Sequence, residues 1–208
     1  MKGLFITFEG IEGCGKSTQS EMLRDYFASI GREVILTREP GGTDISERVR
    51  DLLLDPRYKE MLPETEVLLY AASRSQHTGE KILPAIESGK VVISDRYYDS
   101  TIAYQGAARQ IEASAIKFLC EFAAFKKEPD LTFLIDIDVE TGLGRIKPEA
   151  ADRLEQESLD FHRQVRQGFL DLAAKYKRIV IINGQNTIAE ISGTILEKVK
   201  EYIKARNK

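Results

Sequence analysis

The chain has no tryptophan, two histidines, two cysteines and six prolines among 208 residues. Each scarcity removes a class of chemistry. Cys14 and Cys120 provide neither a disulfide framework nor a metal-binding spacing. His77 and His162 are too few and too far apart for a histidine-based site. No apolar run approaches membrane-spanning length, and Glu9 interrupts the one hydrophobic stretch near the start. Neither a membrane partner nor a signal peptide is therefore expected, and a cytoplasmic location is. A charge excess is also missing: 30 Lys and Arg against 33 Asp and Glu leave a net charge of −3. That balance argues against a general nucleic-acid or membrane binder, so any phosphate affinity must come from local clusters of basic residues. There is no internal repeat and no low-complexity segment. With 42% hydrophobic and 30% charged residues, the expectation is a single globular domain over residues 1–208.

What is present starts at Gly10-Ile11-Glu12-Gly13-Cys14-Gly15-Lys16-Ser17, followed by Thr18. Gly, four residues and Gly-Lys-Ser form the pattern of a phosphate-binding P-loop. Leu4 to Phe8 read as a buried strand running into it, and Met22, Leu23, Tyr26, Phe27 and Ile30 recur as one helix face behind it. Glycines let successive backbone N–H groups curl around phosphate oxygens, and the helix N-terminus adds its positive end. In that setting Lys16 reaches the β- and γ-phosphates and the Ser17 hydroxyl sits on Mg²⁺. Cys14 is a small loop residue in this reading.

Further strands are predicted over 33–37, 91–94, 131–135 and 178–182. Helical patterns alternate with them: 46–54, a long region from Pro63 with an interruption at Gly79 and a stop at Gly89, 98–107, 112–125, 140–145, 152–175, and a last helix carrying Ile188, Ile191, Ile195, Val199 and Tyr202. Gly31 should end the first helix in a left-handed cap. The alternation implies an α/β fold, a five-stranded parallel sheet covered by helices on both faces. Ligands of such sheets collect at the carboxyl ends of the strands. Those ends carry Glu9 with the P-loop, Arg38-Glu39, Asp95-Arg96, Asp136 with Asp138, and Asn183-Gly184-Gln185. Solvated strand ends are the alternative for any one of them, and for Asp136 and Asp138 a structural role is preferred.

A P-loop alone does not separate a nucleotide switch from an enzyme. The Asn-Lys-x-Asp base-reading motif of GTPases is missing, as are the signatures of larger ATPases. A small kinase remains, with a second phosphorylated ligand facing ATP; Arg38, Arg74 and Arg96 would supply planar contacts that lysine does not reproduce. An acceptor that is a nucleoside monophosphate needs no general base, because its phosphate has a second pKa near ~6. A sugar-hydroxyl acceptor would need a carboxylate base, and Glu9 or Asp95 could serve. A nucleoside kinase and a non-enzymatic switch therefore stay open.

Three segments resemble the bacterial thymidylate kinase family: residues 8–18, Arg38-Glu39-Pro40-Gly41-Gly42-Thr43, and the stretch 95–106 from Asp95-Arg96-Tyr97-Tyr98 through Gln105-Gly106. The resemblance runs through nearly the whole chain. It implies a P-loop kinase fold with a short LID segment at about 144–155, transfer of the γ-phosphate of ATP to dTMP with Mg²⁺, and a homodimer. It implies that Tyr70 stacks on the base, that Arg74, Thr101 and Gln105 contact the base's polar atoms, and that Glu12 meets the 3′-hydroxyl. It places Arg38, Arg96 and Ser100 on the acceptor, Tyr104 under the deoxyribose, and Asp95 near Mg²⁺ alongside Ser17. Some family members carry an arginine in the P-loop at the position of Gly13. This chain lacks it, which moves the expected catalytic charge, besides Lys16 and Arg96, to the LID candidates Arg145, Lys147 and Arg153. The resemblance also offers Arg145 a place beside adenine instead, which makes Arg153 the preferred catalytic residue.

Overall fold

The computed structural model describes residues 3–146 and 152–206. Five apolar runs form one parallel sheet: β1 (Leu4–Glu9), β2 (Val34–Arg38), β3 (Val91–Asp95), β4 (Leu131–Asp136) and β5 (Ile179–Asn183), in the spatial order β2-β3-β1-β4-β5. Each strand runs one residue past the predicted apolar segment. The added residues are polar: Glu9, Arg38, Asp95, Asp136 and Asn183. Ladder hydrogen bonds belong to the backbone and do not stop where the side chains cease to be apolar.

Register puts these ends side by side, with Asp95 opposite both Arg38 on β2 and Phe8 on β1, and Asp136 opposite Asn183. Side chains alternate between the two faces of the pleat. Phe5 and Val92 join a cluster with Val67, Ile82, Ile116 and Cys120. Leu4, Ile6, Phe8, Val91 and Ile93 join a larger one containing Leu23, Phe27, Ile191 and Ile195. Phe5, Ile6, Phe8 and Phe27 are fully buried, and each such side chain stabilises the fold by about 1.5–3 kcal/mol relative to its exposed state.

Helix α1 (Lys16–Ser29) ends as predicted at Gly31, whose φ is +76° and whose N–H bonds to Ala28 O while Arg32 N–H bonds to Phe27 O. Helix α2 (Asp44–Leu54) starts at Thr43, whose hydroxyl accepts from Ser46 N–H. Helix α3 (Pro63–His77) continues through a π-helical turn (Thr78–Ile82) into α4 (Leu83–Glu87). A second π segment, Ile102–Ala108, follows α5 (Tyr98–Thr101) where a plain helix is predicted. Such wide turns re-aim the side chains they carry, here Tyr104 and Gln105.

The remaining helices are α6 (Ala113–Ala123), α7 (Val139–Leu143), α8 (Leu159–Lys175) and α9 (Ile188–Arg206). The predicted start of α8 at residue 152 is wrong by seven residues. Asp152 Oδ1 accepts from the N–H groups of Leu154 and Glu155, and Glu155 Oε2 accepts from Asp152 N–H, closing a separate turn. The helix begins after Ser158, whose hydroxyl takes Phe161 N–H. The sequence holds two cap signals in succession, and the second prevails.

Candidate active site

The P-loop joins β1 to α1. Gly15, at φ +97°, precedes a first helical turn with no acidic residue and no side-chain cap, so its N–H groups face outward without a protein anion. The Lys16 ammonium is buried within the loop, donating to Ile11 O at 2.8 Å and Gly10 O at 3.2 Å. Beside it the Ser17 hydroxyl donates to Asp95 Oδ2 at 2.7 Å, linking the loop to the end of β3.

Gly13 makes the loop's closest external approach. A Cβ at this residue would lie 2.1 Å from Gly142 O on α7, and φ is +69°. An arginine at position 13 is therefore excluded by the packing of α7. The same carbonyl end of the loop receives Arg145, whose Nη1 donates to Gly13 O at 2.9 Å from an exposed position.

Arg96, one residue past β3, adopts a left-handed conformation with φ +70°. That backbone costs a non-glycine residue about 1–3 kcal/mol and here turns the guanidinium under the P-loop. Its Nη1 donates to Gly10 O at 2.9 Å and Ser100 Oγ at 3.0 Å; its Nη2 donates to Glu12 Oε1 at 2.6 Å. The Tyr104 hydroxyl donates to Glu12, also at 2.6 Å. Burial alone pushes the Glu12 carboxyl up, but the charges of Arg96 and Lys16 and the Tyr104 hydroxyl hold it below its ordinary value. Glu9, fully buried, accepts from Tyr97 N–H and Ser100 Oγ. Burial and the neighbouring Asp99 push its carboxyl up to about 8.

Beneath these groups lies an open cavity of about 500 Å³, part of it continuous with solvent, lined by Glu12, Tyr70, Arg74, Arg96, Ser100, Thr101, Tyr104 and Gln105 together with Pro40, Leu54, Leu154 and Arg50. Every predicted acceptor residue except Arg38 lines it. Arg38 is half-exposed and paired with Glu47 at 2.8 Å. The arginine that sequence reasoning missed is Arg50, which donates to Pro40 O at 2.8 Å. A signal existed: Arg50 falls on the stripe of α2 that Ser46 and Leu53 bury.

Each histidine stands singly behind a carboxylate of the cavity wall, His77 beside Glu39 and His162 near Glu12. Glu39 Oε2 accepts Arg74 Nε at 2.8 Å, while its Oε1 pairs with His77 Nδ1 at 3.0 Å; His77 Nε2 meets Thr37 Oγ1 at 2.7 Å. All of these side chains are buried, and Arg74 Nη1 has no protein partner. Arg74 and His77 are three residues apart on α3, the spacing of one helix face. His162 lies 3.9 Å from Glu12 Oε2.

The LID candidates separate. Arg145 reaches the P-loop. Arg153 does not: its side chain is buried, with Nη1 2.6 Å from Glu66 Oε2 and Nε donating to Leu53 O at 2.9 Å. Two of its donor groups are thus held by a carbonyl and a carboxylate, while its buried Nη2 has no protein partner among the described residues, so in this arrangement Arg153 is anchored away from the P-loop. Lys147 lies outside the described residues. Asp136 and Asp138 share Arg166 of α8, at 2.7 and 3.1 Å, and Gln185 donates to Asp138, so the ends of β4 and β5 are tied together structurally. Cys14 and Cys120 are both buried and unpaired.

A P-loop whose acid and whose neighbouring strand-end arginine both wall an adjoining cavity is a two-substrate arrangement. The family profile described as thymidylate kinase matches residues 8–195 of this chain. The chain belongs to the thymidylate kinase family. The thymidylate kinase of Halothermothrix orenii is 49% identical over 96% of this chain and 98% of its own length. That of Thermoanaerobacter sp. (strain X514) is 47% identical over 98% and 100%. A crystal structure of thymidylate kinase from Ehrlichia chaffeensis aligns with a TM-score of 0.79 at 36% identity, covering 96% of this chain and 99% of that one. As a member of the thymidylate kinase family, the chain is an ATP-dependent nucleoside monophosphate kinase, which removes the switch as a reading.

Proposed function

We propose that this chain transfers the γ-phosphoryl group of ATP to dTMP, giving dTDP and ADP, with the P-loop holding the donor and the adjoining open cavity holding the acceptor. The observation that carries the reading is the pair of base-facing groups on the cavity wall. Arg74 offers an unpartnered N–H donor, Nη1. Gln105 Nε2 donates to Glu66 Oε1 at 2.8 Å, which turns its carbonyl oxygen the other way. A donor beside an acceptor complements the keto oxygen and ring N–H of thymine or uracil and mismatches the amino group and bare ring nitrogen of cytosine. Tyr70 supplies a ring for stacking, worth about 1–3 kcal/mol.

Arg96 and Arg50 line the same cavity and are the phosphate ligands in this reading, with Glu12 and Tyr104 beside the sugar. An acceptor phosphate is already anionic at neutral pH, so no general base is required. Stabilisation of charge falls to Lys16, Arg96 and Arg145, the cations that meet around the loop.

The hard-oxygen pair of Ser17 and Asp95, linked at 2.7 Å, suits Mg²⁺, which takes one or two protein oxygens together with substrate phosphates. No cluster of three or more His, Cys, Asp or Glu residues suited to a metal occurs among the described residues. When bound there, Mg²⁺ supplies charge neutralisation for the β- and γ-phosphates.

A homodimer is part of the same proposal. Phe118 and Phe122 stack on each other on the outer face of α6, Phe125 packs on the Gly79 position, and Leu68 is exposed on α3. Four large exposed apolar side chains on α3, α6 and the turn that follows α6 are the kind of patch that a second copy covers. No helix among the described residues is long and apolar enough to cross a membrane. The proposed location remains the cytoplasm.

An ADP-release assay with ATP and a panel of dTMP, dUMP, UMP, CMP and thymidine tests the reaction. ADP production that depends on dTMP and is lost in Lys16→Ala is the expected result. Turnover with thymidine in place of dTMP, or near-normal turnover in Lys16→Ala, would overturn it.

A further inference from the structure

Glu66 is fully buried in the first turn of α3, yet it binds neither the P-loop nor a strand end. Its Oε1 accepts Gln105 Nε2 at 2.8 Å and Arg109 Nε at 3.3 Å. Its Oε2 accepts Arg109 Nη2 at 3.2 Å and forms an ion pair with Arg153 Nη1 at 2.6 Å. Arg109 also pairs with Glu157 at 2.6 Å, so two guanidinium groups and two carboxylates close a neutral cluster. The cluster spans α3, the π segment and the 152–157 turn. It is built at a cost, since burying charges is offset only when every one is paired.

The chemistry of that carboxylate decides what Gln105 shows to the cavity. An ionised carboxylate can only accept, so the Gln105 amide must present Nε2 to it and its oxygen to the other side. Burial pushes the Glu66 carboxyl up, but the Arg109 and Gln105 hydrogen bonds and the charges of Arg109 and Arg153 outweigh this and keep it below its ordinary value. The second arginine matters because Arg153 makes the shortest of the four contacts. Arg153 is itself seated by Leu53 O and, through its backbone N–H, by Leu54 O at 3.1 Å. Leu54 and Leu154, which flank this joint, both wall the cavity.

We infer that Glu66 and Arg153 are positioning residues for acceptor-base selectivity: Arg153 holds the Glu66 carboxylate, and the carboxylate sets the orientation of the Gln105 amide that reads the base. The inference rests on the proposed reading of the cavity as the acceptor site. It reverses the role expected for Arg153, which acts through two other side chains and touches no reacting atom.

With Glu66→Gln the partner of Gln105 is itself an amide that can both donate and accept. Gln105 is then free to flip, showing a donor where it showed an acceptor. The KM for dTMP rises about tenfold, and the ratio of dTMP to dCMP turnover (as kcat/KM) falls by an order of magnitude. Arg153→Met keeps the apolar stem and removes the charge, giving a smaller shift in the same direction. Arg153→Lys restores part of the selectivity, and kcat with saturating dTMP and the KM for ATP stay within about twofold of wild type in all three.

Steady-state kinetics of wild type, Glu66→Gln, Arg153→Met and Arg153→Lys with dTMP and dCMP separate the outcomes. Should Glu66→Gln fail to fold, Arg153→Met and Arg153→Lys still decide the matter. A fall in kcat for Arg153→Met with an unchanged dTMP to dCMP ratio overturns the inference and makes Arg153 a catalytic charge. An unchanged ratio with unchanged kcat also overturns it. Failure of wild type to use dTMP at all would instead overturn the reading of the cavity.

Discussion

Arg96 Nη2 donates to Glu12 Oε1 at 2.6 Å, a contact that crosses 84 residues of sequence and joins the P-loop to the end of β3. One guanidinium thus touches the P-loop, the adjoining cavity and the acid between them. The Tyr104 ring lies under the same guanidinium at 5.2 Å, so the charge is held from three sides.

Arg96→Ala leaves Glu12 without its main counter-charge and, in the proposed reading, the acceptor phosphate without its fork. We expect kcat/KM for dTMP to fall on the order of 10³-fold, comparable to loss of a charge-stabilising donor. Arg96→Lys should recover less than a tenth of that loss, because an ammonium cannot reach Gly10 O, Ser100 and Glu12 together as the planar group does. Kinetics with varied dTMP at saturating ATP provide the measurement; near-complete recovery in the lysine variant would contradict the geometry.

Gly13→Ala tests the contact between the P-loop and α7. The new Cβ would meet Gly142 O at 2.1 Å, so loop or helix must move. The KM for ATP should rise at least tenfold, and the Arg145 contact to Gly13 O should loosen with it. Gly15→Ala meets no atom within 4 Å and suffers only the left-handed backbone cost of about 1–2 kcal/mol. ATP titrations of both variants should show the larger defect at residue 13; equal defects would mean that backbone conformation alone is responsible. Gly13→Arg should fail for the same steric reason.

Glu9 makes stability depend on pH. The folded protein keeps a proton on this carboxyl up to about pH 8, whereas the unfolded chain loses it near the ordinary 4.5. The folded state therefore binds more protons between these values. The stabilising contribution is complete below pH 4.5 and is lost as pH rises through 8, at up to about 1.4 kcal/mol per pH unit. Urea unfolding at pH 6, 7 and 8.5 should show Glu9→Gln, a neutral isostere, with a flatter decline than wild type. Parallel declines would show that Glu9 is ionised in the fold.

Phe118 and Phe122 are 65% and 70% exposed. If a second copy covers them, each contributes about 1.5–3 kcal/mol to association. Phe118→Glu with Phe122→Glu should turn a dimer into a monomer in sedimentation velocity, with little change in monomer secondary structure. A wild type that sediments as a monomer at micromolar concentration would remove the proposal.

What the sequence by itself determined is local. Short-range spacing suffices for the P-loop, for the five strands to within a residue or two, and for the left-handed stop at Gly31, because backbone sterics and side-chain periodicity act over a few residues. The strand-end rule then placed Glu9, Arg38, Asp95 and Arg96 at one edge. Tertiary structure decided which of these charges faces the cavity. Arg38 and Arg50 stand twelve residues apart with the same chemistry, and only the turn through Pro40 and the packing of α2 puts Arg50 on the wall and leaves Arg38 with Glu47. Arg145 and Arg153 were equal in composition, and the difference between a P-loop contact and a buried anchor came from Glu66, 87 residues earlier than Arg153. A buried charge must find its partner wherever the fold provides one, and that partner is not encoded by proximity in the chain.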